Sequence, residues 1–205
     1  MSKIIQIEGP DGSGKSFLAH NLIEVYKAAY IHVSNYTDKN VTMNQHKPMM
    51  DFGELWAHKR GLSPVVLDRH WLTLFVYSMI FDSQDDQAKV LHFLEANVKG
   101  WLQTADKIIF CLPPKSVYLD RFERIKRTRP ELYTDMGDVY DAFWALYYGK
   151  MLDNPVCHTL LGQSLIAKGG MQQFPNVMLY NYMEHFGQGE KELVEWMDKN
   201  IICGE

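Results

Sequence analysis

IIQIEGPDGSGKSF, residues 4–17, sets an apolar run directly before a glycine-rich turn that closes on Lys15-Ser16. Gly9 to Ser16 satisfies G-x-x-x-x-G-K-[ST], with a strand-like run before it and a helix-period stretch after it, the context that this motif requires. The spacing has a mechanical reason. Glycines let successive backbone N–H groups turn inward as a nest, and the helix that follows adds its positive N-terminal end, so a polyphosphate meets several donors together. Gly9, Asp11, Gly12, Ser13, Gly14, Lys15, Ser16 and Phe17 are therefore expected to bind ATP. Lys15 would reach the β and γ phosphates, and the Ser16 hydroxyl would coordinate Mg²⁺. Asp11 is the odd residue, an acid in a cradle for anions.

Outward from this stretch, five short apolar runs read as buried strands: 3–7, 29–33, 64–67, 107–112 and 177–183. Between them lie helix-period stretches at 15–28, 49–59, 72–81, 84–102, 116–126, 138–151 and 190–200. In the first, Leu18, Leu22, Val25 and Ala29 line one face. Alternating strand and helix predicts an α/β fold with a parallel sheet covered on both faces. Segment 153–176, rich in Gly and Pro, reads as an irregular excursion with one short helix.

At 205 residues the chain is expected to form a single domain. Apolar residues make up 46% and charged residues 22%, ordinary globular proportions that exclude a disordered chain. A net charge of −4 and a pI near 6.1 argue against stable nucleic-acid binding. Cys111, Cys157 and Cys203 are odd in number and lack metal-ligand spacing, so free thiols in a reducing, cytoplasmic setting are expected. With no signal pattern and no apolar run near 18 residues, no membrane association is expected. The eight histidines show no metal-ligand pairing.

The third strand runs into Asp68-Arg69, which puts a carboxylate and a guanidinium at the carboxyl edge of the sheet, where ligands of open α/β sheets bind. Asp68 is expected to hold Mg²⁺, directly or through water, and Arg69 to clamp a second phosphate. After the fourth strand and Pro113-Pro114, Arg121, Arg124, Lys126, Arg127 and Arg129 make five of nine consecutive positions basic. Tyr118, Phe122 and Ile125 share one helical face there, leaving the cations exposed. Such a run is either a solvated face or a lid, about 121–136, whose arginines close over the triphosphate and exclude water. Arg124, Arg127 and Arg129 are the lid's expected catalytic cations beside Lys15, Asp68 and Arg69.

These three elements, in this order, resemble the thymidylate kinase family and its deoxynucleoside kinase cousins over roughly residues 4–147. The resemblance rests on EGPDGSGKS, with its acid in the loop; on DRHWLTLFVYS, similar to the family pattern Asp-Arg-Tyr-x-x-Ser-x-x-Ala-Tyr, with Thr73 and Tyr77 at the serine and second tyrosine; and on LPP before the arginine-rich segment. It implies a P-loop kinase fold with a five-stranded parallel sheet in order 2-3-1-4-5 and helices on both faces. It also implies phosphoryl transfer from ATP, with Mg²⁺, to a deoxynucleoside monophosphate such as dTMP. By position, Asp11 would bind the acceptor 3′-hydroxyl, Arg69 its phosphate, and Tyr77 would crowd the 2′ position. Trp56 and Arg60 match an aromatic-x-x-x-Arg spacing that would stack on the base and hydrogen-bond it. The family commonly forms dimers, so a homodimer is compatible with the resemblance.

The chain departs from the pattern after strand two, where HVSNYT stands in place of Arg-Glu-Pro, and at Leu74, where some members carry a polar residue that touches thymine. The HFGQG loop, 185–189, follows strand five, where related kinases contact adenine. Three alternatives stay open: a deoxynucleoside kinase acting on a 5′-hydroxyl, a non-kinase P-loop ATPase or switch, and a kinase of polynucleotide ends. The acid at position 11 and the lack of a Glu after strand two count against the first of these, the lid arginines against the second, and the acidic net charge against the third.

Overall fold

The structure is a computed structural model that describes residues 3–32, 64–128, 136–185 and 190–202. Its elements are β1 (Ile4–Glu8), α1 (Lys15–Tyr26), β2 (Ala29–His32), β3 (Val65–Asp68), α2 (Trp71–Phe81), α3 (Gln84–Thr104), β4 (Lys107–Cys111), α4 (Lys115–Thr128) and α5 (Met136–Tyr148). Then come α6 (Pro155–His158), α7 (Leu160–Ala167), a 3₁₀ turn (Met171–Gln173), β5 (Val177–Tyr180), α8 (Tyr182–His185), α9 (Glu190–Met197) and a π-helical turn (Asp198–Ile202). The helix expected over 49–59 lies outside the described residues.

All five strands are parallel, in the order β2-β3-β1-β4-β5. This is the expected P-loop kinase order. β1 is central: Ile7 pairs with Asp68 of β3 and with Ile109 of β4, so the carboxyl ends of three strands open on one edge. The period-2 alternation of β-strands divides the core. Ile5, Ile7, Ile109 and Cys111 pack with Leu18 and Leu22 of α1 and with Leu193 and Met197 of α9. Ile108, Phe110 and Val177 face the opposite way, into α2, α3 and α5. Helix α2 is apolar all round, with every residue from Trp71 to Met79 buried, so it sits inside the layer and not upon it. Each such large side chain contributes about 1.5–3 kcal/mol by leaving water. Ser83 caps the next helix by accepting from Asp86 N, and Asp85 and Asp86 in its first turn suit the helix dipole.

Two expectations need correction. Segment 153–176 is mostly helical, α6, α7 and a 3₁₀ turn, because Asn154 and Thr159 cap the two helices by accepting from Val156 N at 3.1 Å and Gly162 N at 2.9 Å. The fifth strand ends at Tyr180, not Met183, since Asn181 accepts from Met183 N at 3.1 Å and turns the chain into α8. Among the described residues, no helix is long and apolar enough to cross a membrane.

Candidate nucleotide-binding site

Between β1 and α1 the chain turns through residues 9–14 at the carboxyl edge of the sheet, and Gly14, in the left-handed region, starts α1. Gly9 adopts φ 141°, and a Cβ there would stand 2.6 Å from the Cys111 carbonyl oxygen on β4. Gly9→Ala combines strained φ with a backbone clash, so it is expected to cost about 3 kcal/mol of stability, read as a shift in the urea midpoint; a variant as stable as the parent would contradict this packing.

Lys15 is buried, and its ammonium donates to Gly9 O at 2.8 Å and Pro10 O at 2.7 Å, with the Asp11 carboxylate 3.9 Å away. Burial, followed by the positive charge of Arg69, lowers its pKa. Lys15 thus lies folded over the mouth of its own loop. Ser16 and Phe17 are exposed on the first turn of α1.

Arg69 follows β3 with φ 71°, an uncommon conformation for a side-chain-bearing residue, and its N–H donates to Ile7 O at 2.9 Å. Its guanidinium forms an ion pair with Asp11 and lies 5.9 Å from the centroid of the Tyr77 ring. Tyr77, fully buried on α2, accepts from Asp11 N at 3.0 Å. Burial alone would weaken the charge on Arg69, but Asp11, Tyr77 and Asp68 outweigh it and raise its pKa. Two further donors of Arg69, Nε and Nη1, are buried with no hydrogen-bond partner among the described residues. Buried donors of this kind are costly to leave unmade, which suits an anion that arrives with the ligand.

Asp68, at the end of β3, accepts from Tyr30 at 2.7 Å and lies 3.3 Å from His32 Nδ1, both on one carboxylate oxygen. Its other oxygen, Oδ1, is buried and has no partner among the described residues. Burial opposes ionisation here, yet His32, Lys15 and Tyr30 together hold the carboxyl below its ordinary range. Oδ1 and the Ser16 hydroxyl are oxygen donors of the type that Mg²⁺ takes, usually with several waters. Among the described residues no group of three or more His, Cys, Asp or Glu forms a cage for a metal.

Helix α4 reaches the loop at Gly12. Tyr118 and Phe122 are buried, as their spacing predicts, and Ile125 Cδ1 lies 3.3 Å from where a Cβ of Gly12 would be. Tyr182 on α8 stands closer still, its Cδ1 2.8 Å from where a Cβ of Gly14 would be, and the Arg121 guanidinium covers its ring at 5.1 Å. Arg124 is exposed and paired with Asp120 at 2.8 Å, and Arg127 is exposed on the same helix. Residues 121–128 thus continue α4 as helix, and Arg129, Trp56 and Arg60 lie outside the described residues. A cleft of about 590 Å³ is lined by Tyr140, Trp144 and Tyr148 of α5, the Lys115–Asp141 ion pair and Glu184 of α8.

The structure therefore gathers Asp11, Lys15, Arg69 and Tyr77 into one connected cluster, with Asp68 on the neighbouring strand end. The motif reading missed Glu8, Tyr30 and His32. Glu8 is fully buried, and its carboxylate accepts from Leu72 N at 3.2 Å, Thr73 N at 3.1 Å and the Thr73 hydroxyl at 2.6 Å. Burial pushes its pKa up to about 7 against the lowering effect of those bonds. An acid ending a strand that is apolar apart from Gln6 was the available signal for it.

No protein-family model matches the chain, and no curated protein does. Solved structures do. The NadR protein in complex with NR aligns over 87% of this chain at 14% identity with a TM-score of 0.50, and the chain spans 43% of that protein's length. The YorR protein from Bacillus subtilis, in complex with phosphorylated GDP, aligns over 96% of both chains at 16% identity and a TM-score of 0.48. Deoxyadenosine kinase from M. mycoides with bound dATP aligns over 94% of this chain and 96% of its own, at 14% identity and a TM-score of 0.48. At these identities what is shared is the fold.

Proposed function

We propose that the chain is an ATP- and Mg²⁺-dependent kinase that transfers the γ-phosphate of ATP to a deoxynucleoside monophosphate, dTMP or a related one. The observation that carries this reading is the arrangement of two cationic groups about Asp11: Lys15 of the P-loop on one side, and on the other Arg69, with two buried donors that have no partner among the described residues. A hydrolytic switch has no need of the second site. The neighbours named above as a deoxyadenosine kinase and as a protein holding phosphorylated GDP are in keeping with nucleotide ligands.

In this reading Lys15 exchanges the carbonyls of Gly9 and Pro10 for donor phosphate oxygens, and the guanidinium of Arg69 takes the acceptor phosphate. Asp68 Oδ1 and Ser16 would hold Mg²⁺, which neutralises charge on the phosphates. A monophosphate brings its own ionised oxygen as nucleophile, so the protein's task is alignment and charge stabilisation, and no strong general base is needed. Arg121 and the lid arginines beyond it would shield the triphosphate from water.

The test is an acceptor panel. The protein is incubated with ATP, Mg²⁺ and each deoxynucleoside and deoxynucleoside monophosphate in turn, and ADP release is followed. Turnover dependent on monophosphates is expected; turnover with nucleosides only, or none that depends on an acceptor, would sink the proposal. Asp11→Ala is expected to raise the acceptor KM about tenfold or more, the worth of one charge-assisted hydrogen bond, while leaving ATP affinity within about a factor of two. Equal losses for both substrates would remove Asp11 from the acceptor side.

A further inference from the structure

Glu8 has no place in the motif, yet the acceptor half of the site hangs from it. The corner between β3 and α2 is pinned to β1 at two points: Arg69 N–H donates to Ile7 O at 2.9 Å, and the first turn of α2 donates three hydrogen bonds to the Glu8 carboxylate. Arg69 lies between those pins in its left-handed conformation. Tyr77, one helical turn beyond Thr73, reaches back to Asp11 N at 3.0 Å. Glu8 also directly precedes Gly9, the first residue of the phosphate loop. One buried side chain thus ties the loop that would hold the donor to the corner and helix that would hold the acceptor.

We propose that Glu8, acting through Leu72 N, Thr73 N and the Thr73 hydroxyl, is a positioning residue that sets the orientation of Arg69 and Tyr77 against the phosphate loop. The proposal rests on the kinase reading for its effect on turnover but not for its effect on Arg69 itself. A carboxylate offers acceptors on both oxygens to the donors that converge on it, the N–H groups of His70, Leu72 and Thr73 and the Thr73 hydroxyl. A glutamine of the same shape offers an acceptor on one side only and turns an N–H₂ toward a donor on the other, so the first turn of α2 must shift. Misplacement by about 1 Å at a positioning group costs on the order of 100-fold in rate.

The experiment compares Glu8→Gln, Thr73→Val and Thr73→Ser with the parent. The side-chain Nε–Hε signal of Arg69 in ¹⁵N NMR spectra, assigned through its loss in Arg69→Lys, reads the geometry without any substrate. It is expected to move or broaden in Glu8→Gln and Thr73→Val and to keep its position in Thr73→Ser, which retains the hydroxyl. In parallel, kcat/KM for the acceptor is expected to fall about 100-fold in Glu8→Gln, with ATP affinity, titrated without acceptor, within about twofold of the parent. If Glu8→Gln fails to fold, the Thr73 pair alone decides. An unmoved Arg69 signal in every folded variant that removes a bond to Glu8 overturns the proposal and leaves Glu8 a helix cap. A parent protein that transfers no phosphate, but whose Arg69 signal responds as described, instead refutes the kinase reading and keeps Glu8 as the positioning group.

Discussion

Lys15→Ala is expected to lower kcat/KM for ATP about a thousandfold, on the scale of removing a preorganised donor from a charge-stabilising site. The physical basis is the burial of the Lys15 ammonium at the mouth of the loop, on the Gly9 and Pro10 carbonyls at 2.8 and 2.7 Å. Those contacts are local, and on the proposed reading the side chain would trade two neutral acceptors for charged phosphate oxygens, a stronger bond. Alanine leaves the glycine nest and the start of α1 in place but removes its single point charge. The loss should therefore appear in both ATP binding and turnover. Initial rates over a range of ATP concentrations, with a nucleotide titration of each variant, measure the two separately. Retention of ATP affinity within about threefold would mean that the loop does not hold the triphosphate.

Arg69→Ala carries the second large effect, a loss of about a thousandfold in kcat/KM for the acceptor, at the lower end of what a transition-state arginine contributes. Three consequences combine. On the proposed reading the acceptor phosphate would lose a bidentate partner; in the structure Asp11 loses its ion pair with Arg69 and keeps Lys15 at 3.9 Å. Arg69→Lys restores the charge but not the planar fork, so it should recover only a fraction of the activity. Arg69→Gly separates the backbone from the chemistry: at φ 71° glycine relieves about 1 kcal/mol of conformational strain yet supplies no guanidinium. Loss of acceptor use in all three variants, measured as kcat/KM at saturating ATP, is the expected result. Full activity in Arg69→Lys would mean that only a diffuse positive charge is needed there. Strain at a residue that also carries the exchangeable ion pair is the pattern expected of a functional corner.

Much of this was legible in the chain itself because it is local. The P-loop spacing, the five apolar runs and the 3.6-residue stripes of α1 and α4 need only neighbouring residues to be read, and the structure returns each of them with ends shifted by a few residues. The helical content of 153–176 is not what the sequence reading expects: its glycines and prolines point to an irregular excursion, and the capping roles of Asn154 and Thr159 emerge only in the structure. Caps outweighed breakers there because each glycine sits at or beyond a helix end, or, like Gly162, at a capped first turn.

The amino-acid sequence by itself determined the five strands, the long helices α1 to α5 and α9, the glycine-rich loop between β1 and α1, and the acidic-basic strand end at Asp68-Arg69. Only the tertiary structure decided what those residues touch: that Asp11 pairs with Arg69, that Tyr77 answers Asp11 N from 66 positions away, that Tyr30 braces Asp68, and that Glu8 holds the start of α2. The reason is physical. Backbone periodicity is written residue by residue, whereas a buried carboxylate is stable only with partners that desolvation obliges it to find, and those partners arrive through strand pairing across the sheet.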